Sequence, residues 1–246
     1  MPKWRYSTTI RLLVFAVLAL AAAASAQTRQ RPPILEQMAK TYGLDSFGQI
    51  DAIRYTFNLQ IPGLISLSHT WEWEPKTGKV SYEGKDKEGK PVKVSYVRTE
   101  LASQPDMVKN EVDPGFVNDN YWLIFPFHAY WDTSASVIDQ GTFNLPTGSG
   151  TAKLVAVKYP ADSGYTPGDT WDLYVGKDNR VVYFDYHRGG AKPPSRVFAT
   201  WAGYKKAGPL LFATEHRGTA DGKPFHLSIT DVAVKLAGSD KWVNAE

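Results

Sequence analysis

Histidines and carboxylates are the residues of this chain that could transfer protons or bind a metal ion, and their spacing supports neither role. The five histidines form no pair two residues apart, as on one face of a strand, or four apart, as on a helix; they are His69, His128, His187, His216 and His226. The chain has no cysteine, which excludes thiolate ligands, a catalytic thiol and disulfide bonds. We therefore predict no metal and no cofactor.

Two short constellations contain residue types found in hydrolase sites. Asp185 and His187 share a strand face, and a serine such as Ser195 would complete the residue types of a catalytic triad. The Gly-x-Ser-x-Gly motif that presents such a serine on an α/β fold is missing. Asp169 and Asp172 follow a Pro-Gly turn, and the sequence places no further residue beside them that would complete an acid/base pair. We interpret the first pair as a solvated strand edge and the second as the end of a turn, and we predict no catalytic residue.

The aromatic residues suggest a different chemistry, the binding of an apolar ligand. Residues 116–131 are dense in aromatic side chains, which can line a pocket or cover it as a lid, and which can equally fill the core. Both interpretations stay open. The candidate ligand-binding residues are those expected on the concave face of a sheet and on the segment that covers it: Tyr55, Phe57, Leu67, Trp71, Trp73, Tyr121, Trp122, Phe125 and Phe127.

An alternation of apolar and polar residues predicts the strands that position these side chains. It begins at Ile53, and after the turn Pro62-Gly63 it continues from Ile65 to Trp73, with His69 on the apolar side as an expected core histidine. Four strands up to residue 96 form a meander. Further strands are predicted near 136–144, 151–159, 169–176, 180–188, 195–204, 209–217 and 224–236. The predicted fold is mainly β, a single large curved antiparallel sheet of about eleven strands.

Two short helices are predicted to cover the concave face. The first spans about 34–42, with Ile34, Leu35 and Met38 on one face and Gly43 as a stop signal. Residues 101–115 are predicted to be irregular. The second helix is expected near 118–125, capped by Asn118 or Asp119 and ending before a proline.

The N-terminus has the pattern of an export signal. Three basic residues precede an apolar run of about 13 residues, too short for the ~20 that span a bilayer. Ala24-Ser25-Ala26 then predicts cleavage between Ala26 and Gln27. We expect residues 1–26 to be a signal peptide, 27–33 a flexible tether and 34–246 a single β domain that is soluble in the periplasm or secreted. The net charge of +3 includes those basic residues, and we predict no nucleic-acid binding.

The order of these elements, together with residues 121–127 (YWLIFPF) and 165–175 (YTPGDTWDLYV), resembles the lipoprotein-localisation superfamily. This superfamily includes the periplasmic carrier LolA and the outer-membrane protein LolB, and the nearest resemblance is to its exported bacterial members of unknown function. The resemblance implies a half-open β-barrel, lidded by helices, around a cavity that holds acyl chains. One feature departs from it: LolB-like proteins are lipid-anchored, and this chain has no cysteine to carry a lipid.

Three functional hypotheses follow. The first is an exported carrier, not an enzyme, that holds a lipid acyl chain or other hydrophobic molecule in the concave sheet. The second is a structural or interaction protein of the cell envelope that has a filled core, no ligand and another envelope protein as its partner. The third is a hydrolase whose site is assembled from distant residues. A cavity would favour the first over the second.

Overall fold

The computed structural model describes residues 31–162, 164–192 and 195–246 of the chain. The predicted signal peptide, its cleavage site and residues 27–30 of the predicted tether lie outside the described residues. Within the described part, no helix is long and apolar enough to cross a membrane.

The described residues contain one antiparallel sheet of thirteen strands. The strands are β1 (Ile50–Ile61), β2 (Ile65–Glu74), β3 (Lys79–Lys85), β4 (Pro91–Val97), β5 (Ser136–Asn144), β6 (Thr151–Lys158), β7 (Thr170–Val175), β8 (Val181–His187), β9 (Arg196–Thr200), β10 (Ala202–Ala207), β11 (Leu210–Ala220), β12 (Lys223–Leu236) and β13 (Trp242–Asn244). Their order is β4-β3-β2-β1-β12-β11-β9-β8-β7-β6-β5, with β10 on β11 and β13 on β12. Strands β4 and β5 are the two ends, so the sheet is open.

The predicted fold class is therefore confirmed, with two strands more than the sequence indicated. The predicted run 195–204 is divided at Trp201, whose backbone N–H donates to the carbonyl oxygen of Val182 at 2.9 Å. After this point Gly203 adopts a left-handed φ of 67°, and β10 pairs with β11 instead of continuing β9. Strand β13 is three residues long, too short for alternation to reveal it.

Strands β1 and β12 join the N-terminal meander to the C-terminal strands. Phe57 lies opposite Ile229 and Ile53 opposite Val234 in this ladder. The alternation predicted for β1 is present, because Ile53, Tyr55 and Phe57 are each at most 1% exposed while the residues between them are only half-buried. Burying each such side chain contributes about 1.5–3 kcal/mol, so this one face fixes the register of β1.

Helix α1 (Pro33–Thr41) matches the first predicted helix, and Tyr42 at its end attaches it to the sheet. It begins with a proline in its first turn, and it ends before Gly43, whose φ of 106° lies in the left-handed region. At the end of α1, the Tyr42 hydroxyl hydrogen-bonds the Tyr204 hydroxyl at 2.6 Å and accepts from the Val181 backbone N–H at 3.2 Å. The start of the described chain is thereby attached to β8 and β10.

The boundaries predicted for the second helix, near residues 118 and 125, were both wrong. A 3-10 turn (Arg98–Ser103) and a π-helical segment (Val108–Val112) occupy most of the region expected to be irregular, and α2 (Asp113–Trp131) follows them. Neither Asn118 nor Asp119 caps a helix. The helix also continues through Pro126, and its backbone leaves helical geometry at Ile124 (φ −128°, ψ 30°). A proline clashes with the carbonyl four residues earlier, and this local distortion relieves that clash while the buried aromatic face of α2 is retained.

Candidate functional site

Helix α2 places its aromatic side chains against the inner face of the sheet. The Trp122 ring lies 5.0 Å from that of Trp171, 5.4 Å from Phe184 and 6.0 Å from Phe225. One turn later Phe125 stacks on Trp171, with ring centroids 4.1 Å apart. These edge-to-face and offset contacts fill the space between α2 and the strands β7 and β8.

An apolar cavity of about 430 Å³ lies beside this packed region. Trp122 forms one wall, and the end of β1, the starts of β2, β9 and β12, and the end of β11 form the others. Most of the lining side chains are apolar, and they include Phe57, Leu59, Ile61, Leu64, Ile65, Trp122, Ala220, Phe225 and Leu227. The exposed fractions of Leu64 and Ile65 are 61% and 39%. The volume lies within the range of small-molecule sites, roughly 300–1,000 Å³. We call this space the apolar cavity.

A second hollow, of about 1300 Å³, lies between β2–β4 and the segment that leads into α2. Its lining mixes apolar side chains such as Leu67, Trp71 and Val92 with charged ones. An ion pair of 2.8 Å between Lys87 and Glu111 joins the β3–β4 hairpin to the π-helical segment. We call this space the polar groove.

A buried carboxylate supports one histidine of the polar groove. Asp119, on α2, is 1% exposed. Its Oδ2 lies 2.8 Å from Nδ1 of His69 and accepts from Nε1 of Trp71 at 2.9 Å, while its Oδ1 accepts from the Asn118 amide at 3.0 Å. The His69 side chain is 22% exposed and belongs to the groove wall. Three hydrogen-bonding partners thus surround the carboxylate, which offsets the free energy of burying it.

The structure distributes the nine predicted site residues over three environments. Leu67 and Trp71 line the polar groove, and Phe57 and Trp122 line the apolar cavity. The other five line neither hollow. Tyr55, Phe125 and Phe127 are 0% exposed in the core, Trp73 packs against Phe47 and Phe116, and Tyr121 stacks on His128 and donates to Asp132.

Sequence reasoning missed several residues of these walls. His69 was expected to be a core histidine, and its partner Asp119 was, with Asn118, one of two alternative helix caps. A carboxylate inside a run of aromatic residues was the available signal, because such a group must find donors once it is buried. Leu59, Ile61 and Leu227 were missed although they alternate in phase with buried residues of their own strands.

The residues of the hydrolase constellation make other contacts. Ser195 Oγ donates to Asp221 at 3.1 Å, and Asp185 accepts two hydrogen bonds from Arg196 at 2.7 and 2.6 Å besides its 3.2 Å contact with His187. Asp169 accepts from the Gly189 N–H and from the Tyr186 hydroxyl. Desolvation, and then the nearby Asp185, raise the pKa of Asp172. In the part of the chain that the structure describes, no three histidine or acidic residues are grouped as metal ligands are.

Comparison with known proteins gives similarity of structure and none of sequence. No family model matches the chain, and no curated protein matches it. The chain is similar in structure to a LolA superfamily protein. That protein, from Nitrosomonas europaea, shares 8% identity at a TM-score of 0.44, over 84% of this chain and 93% of its own.

Two further solved structures are similar to the chain. A DUF1329 family protein from Desulfovibrio piger shares 10% identity at a TM-score of 0.47, over 84% of this chain and 94% of its own. The lipoprotein LppX from Mycobacterium tuberculosis shares 8% identity at a TM-score of 0.30, over 82% of this chain and 95% of its own.

Proposed function

We propose that this chain is an exported binding protein, not an enzyme, that holds the apolar part of a lipid or other hydrophobic molecule in the apolar cavity. The observation that carries the proposal is the wall of that cavity, in which side chains such as Phe57, Trp122 and Leu227 surround about 430 Å³. Each methylene group that such a wall removes from water contributes about 0.8 kcal/mol to binding. Polar groups at Asn118, Ser195, Asp221 and Lys223 also belong to the lining.

Filling the cavity tests this proposal. We expect Ala220→Trp to weaken the binding of the neutral dye Nile red at least tenfold (roughly 1.4 kcal/mol), because the indole would occupy the space that the dye needs. The measurement is a fluorescence titration on protein whose folding has been checked by chemical denaturation. Leu59→Trp fills the space from the β1 side and serves if the first variant is unstable.

The matched control is Ala102→Trp, an identical change at an exposed position that lines neither hollow. It should leave the dissociation constant unchanged. Equal binding by Ala220→Trp, Leu59→Trp and the wild type would contradict the proposal and favour an envelope protein without a ligand. Native mass spectrometry of protein purified from the periplasm should show an additional lipid-sized mass that the Ala220→Trp protein lacks.

Export is the part of the proposal that concerns the N-terminus. The small residues Ala24 and Ala26 should direct signal peptidase to the bond before Gln27. N-terminal sequencing of the protein secreted by the expressing cell is expected to begin at Gln27. Recovery of the chain with Met1 in a membrane fraction would contradict export with cleavage.

A further inference from the structure

The contact between His69 and Asp119 determines which ring nitrogen of His69 is available to a ligand. Asp119 Oδ2 lies 2.8 Å from Nδ1 and already accepts from Trp71, so Nδ1 carries the proton and donates it to the carboxylate. No described residue hydrogen-bonds to Nε2. In the neutral ring Nε2 is therefore a hydrogen-bond acceptor in the wall of the polar groove.

The register of β1 and β2 places His69 where the two hollows adjoin. Phe57 and Leu59 line the apolar cavity, and their partners across the ladder, His69 and Leu67, line the polar groove. Directly opposed residues on neighbouring strands have Cβ atoms about 4.5–5.5 Å apart. The Phe57 and His69 rings are stacked at 6.3 Å. A molecule with its apolar part in the cavity could thus present its polar end to His69.

The charges of the polar groove favour an uncharged polar end. Its charged lining residues are three lysines and three carboxylates, which balance: Glu83, Lys85, Asp86, Lys87, Lys93 and Glu111. Lys87 pairs with Glu111, and Lys93 with Glu83 at 3.0 Å. An anion would meet no excess of positive charge there, whereas a hydroxyl group would supply the hydrogen that an acceptor nitrogen lacks.

We propose that His69 Nε2 accepts a hydrogen bond from a hydroxyl group at the polar end of the bound molecule. The ligand class is then a long-chain alcohol or an acylated polyol with a free hydroxyl, held by its chain in the apolar cavity and by its hydroxyl at His69. Asp119 is the positioning residue that fixes the proton on Nδ1. This inference rests on the proposed function, since it names the polar end of the same ligand.

The test compares two isomers, decan-1-ol and 1-methoxynonane, as competitors for bound Nile red. They share one formula, and only the alcohol donates a hydrogen bond. The preference for the alcohol is the dissociation constant of 1-methoxynonane divided by that of decan-1-ol. We expect this ratio to be about fivefold larger for the wild-type protein than for His69→Phe, because one net hydrogen bond contributes about 1 kcal/mol. His187→Phe, an identical change at a histidine that lines neither hollow, should keep the wild-type preference.

A second measurement uses the wild-type protein alone and does not depend on the folding of a variant. In ¹⁵N-labelled protein, saturating decan-1-ol should move the His69 Nε2 resonance upfield, as a nitrogen that begins to accept a hydrogen bond does, and 1-methoxynonane should not. Equal preferences in the wild type and His69→Phe, or an unmoved resonance, would overturn the role of His69 while leaving the carrier proposal in place. Tighter binding of decanoate than of decan-1-ol would overturn the uncharged ligand class. Failure of both isomers to displace Nile red would overturn the carrier proposal as well.

Discussion

Replacing Trp122 by alanine is expected to lower the free energy of unfolding by about 3–5 kcal/mol, the effect of removing a large aromatic side chain from a packed core. The indole is 7% exposed and its ring meets those of Trp171 and Phe184 edge-to-face. The same side chain lines the apolar cavity. The substitution should therefore also weaken Nile red binding, because a ligand would lose one wall. Chemical denaturation and a dye titration at a temperature where the variant is folded measure the two effects.

Phe125 provides the matched control within the same helix. It is 0% exposed, stacks on Trp171 and lines neither hollow. Phe125→Ala should cost a similar free energy of unfolding and leave dye binding by the folded protein unchanged. If Trp122→Ala destabilises the protein without any change in dye binding, Trp122 acts only as core, and the structural hypothesis gains over the carrier.

Acid is expected to destabilise the protein between about pH 6.5 and pH 4, because the fold holds one buried and one largely buried histidine in the neutral form. Desolvation lowers the pKa of His216 to about 4, and it lowers the pKa of His128 to about 4 as well. Below the ordinary pKa of about 6.5 the unfolded chain binds protons that the folded chain does not, so the stability present above pH 6.5 is lost as the pH falls. Each histidine can contribute about 1.4 kcal/mol per pH unit in this window.

His216 should account for the larger share of this loss. It is 0% exposed, whereas the side chain of His128 keeps 17% of its surface. Burial raises the pKa of Asp169 and of Asp172, and these carboxyls act in the opposite direction because the folded state holds their protons more tightly. Denaturant unfolding at pH 7.5, 6, 5 and 4.5 measures the sum.

The variant His216→Phe isolates the contribution of one histidine. The phenyl ring of the variant has no titratable group. It can pack against Trp201, whose ring lies 4.4 Å from the His216 ring in the wild-type protein. We expect a slope of stability against pH that is smaller by up to about 1.4 kcal/mol per pH unit below pH 6.5. An unchanged slope would show that His216 does not stay neutral in the folded protein.

Of the two helix-end signals in the sequence, the glycine at position 43 was reliable and the proline at position 126 was misleading. The stop at Gly43 is present because no side chain fits there: an added Cβ would lie 2.6 Å from the Pro209 carbonyl oxygen. Pro126 predicted the end of a helix and instead lies inside α2. An internal proline costs about 3 kcal/mol, which is less than the free energy contributed by burying several aromatic side chains along the same helix. Tertiary packing therefore overrides the proline signal.

The sequence by itself determined most of the strands, the first helix and the aromatic inner face, because alternation and turn residues depend on neighbours a few positions apart. Only the tertiary structure decided which strands distant in the sequence pair, since the β1–β12 ladder joins Phe57 to Ile229 across most of the domain. It also decided that Asp119 meets His69, fifty residues away, and which aromatic residues face a hollow. A cavity is the space that packing leaves unfilled, so it depends on the joint placement of all its walls and has no pattern along the chain.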